Sequence, residues 1–337
     1  MTLAAGARRQ ASPRLRTPAV VDWFEPVEPT SLTVAMMGGH VTVHLQADGR
    51  ADAAARAGRR VLARIERWAE RLTRHTDTSD LALLNSDPRP EVLVRPTVAA
   101  ALRAGIQASD WSEGFADITL LNARLEAEGA IHGAEGAFDG AEPSRLGKWR
   151  MYRRHRGAAV VHRPPGLRFD LGGVGKGWIA DRALALLSEW PSALIDADGD
   201  LALRCAPGKF WDVAIDDPRA PDSSLAVLRL GSPHGGVPTT WGVATSGTSV
   251  HRWNVGGTVR HHLIDPRTGR PAVTDVIQAT VIAGSALSAE ALSKSAVIAG
   301  SVKGFALLDR ARVRGAVLLT SSGAVLALPD TLRLLAG

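Results

Sequence analysis

Between Leu167 and Trp190 the chain reads LRFDLGGVGKGWIADRALALLSEW, and this stretch restricts the fold more than any other. A short apolar run meets an acid at Phe169-Asp170, and a turn follows with glycine at 172, 173, 175 and 177. Ile179, Ala183, Leu184, Leu186 and Leu187 then recur at roughly helical spacing. Strand, glycine turn and helix in succession form the local plan of a phosphate cradle. Glycines let backbone N–H groups converge on an anion, and a helix N-terminus adds partial positive charge. Lys176 adds a full charge. Only five of the 40 Lys+Arg residues are lysine, so a lysine kept at this turn stands out, and a compact ammonium suits a phosphate. A helix C-terminus or a bulged hairpin also collects glycine, and that reading stays open. The turn is not a P-loop, because Gly177 follows Lys176 and no hydroxyl is placed for Mg²⁺. Its GGxGxG spacing, in mid-chain, is not the GxGxxG dinucleotide fingerprint either.

The flanking sequence limits what such a turn can serve. No apolar run approaches the ~20 residues of a membrane span. The N-terminus, MTLAAGARRQASPRLRTP, is basic but lacks the apolar stretch of a signal peptide, so residues 1–30 read as a disordered leader and the protein as cytoplasmic. The single cysteine, Cys205, excludes an internal disulfide, a thiolate zinc cage and a lipoprotein start. A net charge of +6 is Arg-driven, but the arginines are scattered among acids and there is one tyrosine. An anionic small molecule fits that pattern better than nucleic acid does.

Along the chain, residues 32–46 read as two short strands around Met37-Gly38-Gly39. Residues 51–72 read as a helix with Ala54, Val61, Leu62, Ile65, Trp68, Ala69 and Leu72 on its apolar face. Ser79 or Asp80 can cap a short LALLN helix. EVLVRP is a strand and residues 97–112 a second helix, whereas 126–147, rich in Gly, Ala and Glu, read as irregular surface. ALIDADGDLALRC, KFWDVAIDDP, SLAVLRL, VATSGTS and IQATVIAG read as strands, residues 288–299 as a helix, and GAVLLT with GAVLALP as a closing hairpin. Hairpins mixed with a few long helices predict an α+β domain of mixed or antiparallel strands over residues 31–337.

Four polar clusters accompany the glycine turn: FADIT at 115–119, TSGT at 245–248, HHLIDPRTG at 261–269 and AEALSK at 289–294. Each has a plain structural reading. TSG is a common turn, DPRTG a type I turn, Glu290 and Lys294 an i,i+4 pair on a helix face, and His261-His262 an exposed strand edge. Read together, an Asp/Lys/Gly turn, a hydroxyl turn and a His-Asp pair can hold a pyrophosphate and attack it.

In their order and spacing these segments resemble the ApbE-type flavin transferases, which move FMN from FAD to a threonine or serine of another protein. MMGGHV, SDLALLN, GFADIT, DLGGVGKGWIAD, DADGD, VATSG, HHLIDPRTGRP and AEALSKSAVIAG carry the likeness, from about Ala35 to the C-terminus. The resemblance implies a single ApbE-like, T-fold-like domain, FAD as substrate, Mg²⁺, and an acceptor protein with an exposed Thr/Ser flavinylation motif, with no nucleic-acid partner and no membrane insertion. It implies that Met37, Ala116 and Asp117 line the flavin and adenosine site. Asp170, Gly172, Gly173, Lys176 and Gly177 would frame the pyrophosphate, Ser246 and Gly247 would hold the phosphate or flavin side, and Ile264 would contact the cofactor. His262 and Asp265 would sit at the scissile linkage, with His262 the base for the acceptor hydroxyl and Lys176 stabilising the leaving AMP. For the metal it implies the Gly175 carbonyl and Glu290. Here the chain departs from the family pattern, with Glu290 for Asp and Lys294 for Thr, and an ammonium cannot be a ligand. An FAD pyrophosphatase yielding FMN and AMP, and a non-catalytic FAD-binding protein, are the alternatives.

Overall fold

A two-residue tip, Met37-Gly38, joins β1 (Thr30–Met36) to β2 (Gly39–Leu45), and both tip residues have positive φ, as a type I′ hairpin requires. The computed structural model describes residues 29–129, 144–220, 222–249, 252–255 and 258–336. The leader expected over 1–30 lies almost wholly outside them, as do residues 130–143 of the segment expected to be irregular. After the hairpin come α1 (Ala51–Leu72), α2 (Asp80–Ser86), β3 (Glu91–Val94), α3 (Pro96–Trp111) and α4 (Leu121–Ala127). Next are β4 (Arg150–Arg153), β5 (Ala159–His162), α5 (Gly175–Ala185), β6 (Ala193–Ala197), β7 (Asp200–Cys205), β8 (Phe210–Asp216), β9 (Ser224–Gly231) and β10 (Thr239–Gly247). The chain closes with β11 (Arg252–Val255), β12 (Thr258–His261), β13 (Ile264–Asp265), β14 (Arg270–Pro271), β15 (Val276–Ala283), α6 (Ala286–Arg310), β16 (Gly315–Thr320) and β17 (Val325–Ala327).

Eight strands form one antiparallel sheet in the order β1-β2-β6-β7-β10-β15-β16-β17. Its residues alternate between two apolar layers, as the two-residue period of a strand dictates. Val41, Val43, Ala193, Ile195 and Ala202 face α1, α3 and α5, while Ala279, Val281 and Leu318 continue that face under α6. Leu194, Leu203, Cys205, Val243 and Ile282 turn the other way, beneath the β8–β9 hairpin. Each buried Val, Leu or Ile among them contributes ~1.5–3 kcal/mol of burial. The α+β expectation holds, and the molecule is a single domain of antiparallel sheet with long helices.

α6 is, among the described residues, the helix long and apolar enough to cross a membrane by length and composition. Its apolar residues pack instead on the sheet, with Ala289, Leu292 and Ala296 buried. The helical spacing predicted only its first half. Gly300 interrupts it with φ 81°, and Asp275 accepts hydrogen bonds from Ser301 N (2.8 Å) and Ser301 Oγ (2.5 Å), which recaps the second half. α5 likewise stops at Ala185, before the expected end.

Candidate functional site

The segment leading into the glycine turn is not a strand, contrary to the sequence expectation. Leu167, Phe169 and Leu171 are all buried, which is the alternation of a strand, but side chains replace the ladder. The Asn85 amide donates to Phe169 O (2.8 Å) and accepts from Phe169 N (2.7 Å). Arg163, itself buried, donates to Leu167 O, to Leu84 O at 2.5 Å and to Asp87 O at 2.7 Å. Asp170 N donates to Ile118 O at 2.8 Å, which fixes the acid that opens the turn. α2, capped by Ser79, positions Asn85 and thereby Asp170.

The turn itself works differently from an anion nest. Gly172 N donates to Asp170 Oδ1 (2.8 Å), Val174 N and Gly175 N to Leu171 O (3.0 and 2.7 Å), and Gly177 N to Glu290 Oε2 (2.8 Å). These N–H groups are therefore taken within the protein and do not converge on a ligand. The glycines serve close packing. A Cβ on Gly177 would stand 2.6 Å from the carbonyl oxygen of Ala286, and one on Gly173 would stand 2.9 Å from Lys294 Nζ. α5 and α6 are tied further by Asp181, whose carboxylate accepts from Ala286 N (2.8 Å) and Leu287 N (3.0 Å). Burial pushes the Asp181 carboxyl up to about 6, although both backbone bonds favour its charge.

Positive charge at the turn comes from side chains. Lys176 Nζ lies 3.0 Å from Asp200 Oδ2 and 3.6 Å from Asp198 Oδ2, and donates to Asp198 O at 3.1 Å. Burial opposes its charge, but Asp200, Glu290 and Asp198 outweigh that and raise its pKa. Asp198 reaches this position because the Asp198-Gly199 tip of the β6–β7 hairpin sits over Gly39, where any Cβ would collide with its carboxylate. Lys294, four residues after Glu290 on α6, donates from Nζ to Gly172 O at 2.9 Å. Glu290 is 2% exposed, and burial, reinforced by Asp200, pushes its carboxyl up to about 8.

The expected divalent metal does not fit these groups. Lys294 places an ammonium, which cannot be a ligand, against the turn, and Glu290 Oε2 accepts from the Gly177 N–H. Among the described residues no three His, Cys, Asp or Glu side chains gather as ligands.

Two clefts meet at the turn, and Asp170 and Gly172 line both. The larger, about 640 Å³, lies between the β1–β2 tip, the end of α1 and the start of α5, with Met37, Arg74, Gly175 and Lys176 on its wall. The smaller is lined by Ala116, Asp117, Gly173, His262, Ile264 and Lys294. Asp117 Oδ1 accepts from the N–H and hydroxyl of Thr119 (2.7 and 2.8 Å), while Oδ2 is buried with no hydrogen-bond partner among the described residues. Arg124, also on this wall, donates to His262 O (3.4 Å), and Glu128 holds Arg124 and Arg74 together at 2.6 and 2.7 Å.

The two histidines separate, and neither is an exposed edge. His261 Nε2 lies 3.0 Å from Ala272 O, a structural contact, whereas His262 faces the smaller cleft. Asp265 lines neither cleft. Its carboxylate grips Arg267 in a bidentate pair (2.9 and 2.6 Å) and so fixes the DPRTG turn. Burial opposes its charge, but these bonds hold its pKa below the usual carboxylate range. Ser246 and Gly247 end β10 rather than forming a turn, and line neither cleft. Ser246 Oγ pairs with Ser293 Oγ at 2.9 Å, one residue before Lys294. Gly177 is buried in the α5–α6 contact. Asn85, Arg124, Arg163 and Asp181 were not singled out by the sequence, and Asn85 and Asp181 stood inside its quoted motifs without a role.

The model of the ApbE family matches residues 37–318. The FAD:protein FMN transferase of Treponema pallidum is 32% identical over 155 residues, 42% of this chain and 41% of that protein. Its counterpart in Salmonella typhimurium is 32% identical over 143 residues, 41% of this chain and 39% of that protein. The matched stretch thus spans about two fifths of the length of these curated relatives. The ApbE protein of Thermotoga maritima superposes with a TM-score of 0.77 at 22% identity, covering 92% of this chain and 100% of that one. The apo flavinyl transferase ApbE of Pseudomonas stutzeri gives 0.73 at 21% identity, over 93% and 99%. These likenesses establish the fold. With the family model running from the β1–β2 tip through β16, across both clefts and the turn between them, this chain belongs to the ApbE family.

Proposed function

We propose that the chain binds FAD across the Asp170–Gly172 turn and transfers its FMN half to a threonine or serine hydroxyl of an acceptor protein, releasing AMP. The observation that carries this reading is the meeting of two clefts at one turn, with Lys176 on one side and Lys294 and His262 on the other. A ligand with a pyrophosphate between two ring systems would set its phosphates at the turn between the two ammonium groups, with one ring system in the 640 Å³ cleft. The curated relatives' names, FAD:protein FMN transferase, point the same way. Asp117 Oδ2, a buried acceptor in the smaller cleft, suits a ring N–H donor.

In the proposed step the acceptor oxygen attacks the phosphorus of the FMN half. The bond from that phosphorus to the bridging oxygen breaks, and AMP leaves with the bridging oxygen and its negative charge. The hydroxyl proton passes to the His262 imidazole, the side-chain type that most often serves as a general base. Lys176 and Lys294 offset charge at the pyrophosphate without reorganising. Asp265 acts on the turn that carries His262 rather than on the linkage. Incubating the protein with FAD and a threonine-bearing acceptor, then measuring acceptor mass and free AMP, tests the reading. An FMN adduct with AMP is expected. FMN and AMP without an adduct would make it a pyrophosphatase, and intact FAD a binder.

A further inference from the structure

Helical spacing places Glu290 and Lys294 on one face of α6, and that face meets the turn. Lys294 lines the smaller cleft beside Asp170, Gly172 and Gly173. One of its three N–H donors goes to Gly172 O at 2.9 Å. Its stem fills the space over Gly173, with Cδ 3.3 Å from where a Cβ would stand, so the glycine and the lysine depend on each other. Burial holds the Lys294 pKa below the ordinary lysine value while Glu290, Asp200 and Asp170 pull it the other way, and Glu290 accepts from the Gly177 N–H. A surface i,i+4 pair would show none of this. The ammonium is anchored in the turn, and its companion carboxylate binds backbone.

We propose that Lys294 is a built-in cation of the pyrophosphate site, standing where a divalent metal would otherwise supply charge, so that this chain handles FAD without Mg²⁺. The inference rests on the transferase reading and deepens it. Lys294 neutralises the phosphate of the half in the smaller cleft, and Lys176 that of the other half. A fixed ammonium gives less charge than Mg²⁺ but needs no free metal and adds hydrogen-bond direction. Gly173 follows as the glycine that makes room for it.

The test combines FAD titration calorimetry with AMP release from FAD and a threonine-bearing acceptor. Both are run in excess EDTA and in millimolar Mg²⁺, for the wild type and for Lys294→Arg, Lys294→Thr and Lys294→Met. The wild type should bind FAD and release AMP equally well in both conditions, and a direct Mg²⁺ titration of its FAD complex should show no stoichiometric site. Lys294→Thr should lose ~10²–10³ in rate in EDTA, as for loss of one preorganised donor, and regain it with Mg²⁺. Lys294→Met should be slow in both, and Lys294→Arg should keep most of the rate. Wild-type activity that collapses in EDTA, a stoichiometric Mg²⁺ site, or an indifferent Lys294→Met would overturn the proposal. If the wild type releases no AMP in either condition, the transferase reading fails and affinity decides the role of Lys294. FAD binding insensitive to EDTA but weakened in Lys294→Met supports the built-in cation, and equal binding by wild type and Lys294→Met overturns it. A Lys294→Met that does not melt cooperatively leaves the decision to the wild-type Mg²⁺ titration.

Discussion

Met37 holds a conformation that its side chain alone does not justify. With φ 58° it occupies the first tip position of a type I′ turn, where asparagine or glycine is preferred and another L-residue costs ~1 kcal/mol. Its side chain lines the larger cleft, and on the proposed reading the strained tip presents it to FAD. Met37→Asn should therefore raise the melting temperature slightly, by relieving ~1 kcal/mol, while weakening FAD binding. Unchanged affinity in a calorimetric titration would remove Met37 from the site. On the proposed reading His262 serves chemistry rather than affinity, since it faces the cleft while His261 serves Ala272. His262→Ala should cost ~10²–10⁴ in transfer rate and leave FAD bound. Transfer at the wild-type rate would place the base elsewhere.

At the level of elements, α5 and α6 are locked by two devices that serve the site indirectly. Gly177→Ala would drive a methyl to 2.6 Å from the Ala286 carbonyl, a backbone obstacle that no rotamer change relieves, and should cost ~1–3 kcal/mol in thermal or denaturant unfolding. Asp181 caps α6 across the same contact. Its carboxyl is raised to about 6 in the folded protein, so the native state binds more protons than the unfolded chain between the ordinary carboxylate pKa, ~4, and 6. Stability from this group is thus present at low pH and falls as pH rises through that window, by on the order of 2–3 kcal/mol. Asp181→Asn should flatten the fall, and an unchanged pH–stability profile would show that its carboxyl titrates normally in the fold. The sequence made some of these elements plain and hid others. α1 was legible because eight of its residues point one way at helical spacing and its ends need no tertiary partner. Leu167–Leu171 misled because alternation reports burial on one side, not a ladder, and the partners that replaced the ladder, Asn85 and Arg163, lie far off in sequence. Glycine at 172–177 signalled close approach correctly. What approached, Lys294 and the Ala286 carbonyl, was set by packing that a one-dimensional pattern does not contain.

For the molecule as a whole, the sheet order is what makes the site. β2 and β6 are neighbours, so the tips of hairpins β1–β2 and β6–β7 come side by side and bring Met37, Asp198 and Asp200 to the turn from one side. α6 returns over β10 and β15 and delivers Glu290 and Lys294 from the other, while the 261–269 loop adds His262. No single element carries the site, and a ligand must touch both clefts to use both lysines. On the proposed reading FAD does so, whereas FMN or AMP alone reaches one cleft and the phosphate nearest it. A hydrogen bond to a charged group contributes ~1.5–3 kcal/mol, so losing one lysine contact should weaken FMN relative to FAD by ~10–150-fold, before the second ring is counted. Supplying FMN and AMP together should not restore the affinity of FAD, because the covalent pyrophosphate makes occupation of the second cleft intramolecular. Calorimetric titrations with FAD, FMN, AMP and an equimolar FMN–AMP mixture measure all of this in one protein preparation. FAD should bind tightest by the stated factor, and Lys176→Met should narrow the gap between FAD and FMN. Equal affinities for FAD and FMN would mean that only one cleft holds the ligand, and the two-cleft account of the site would have to be abandoned.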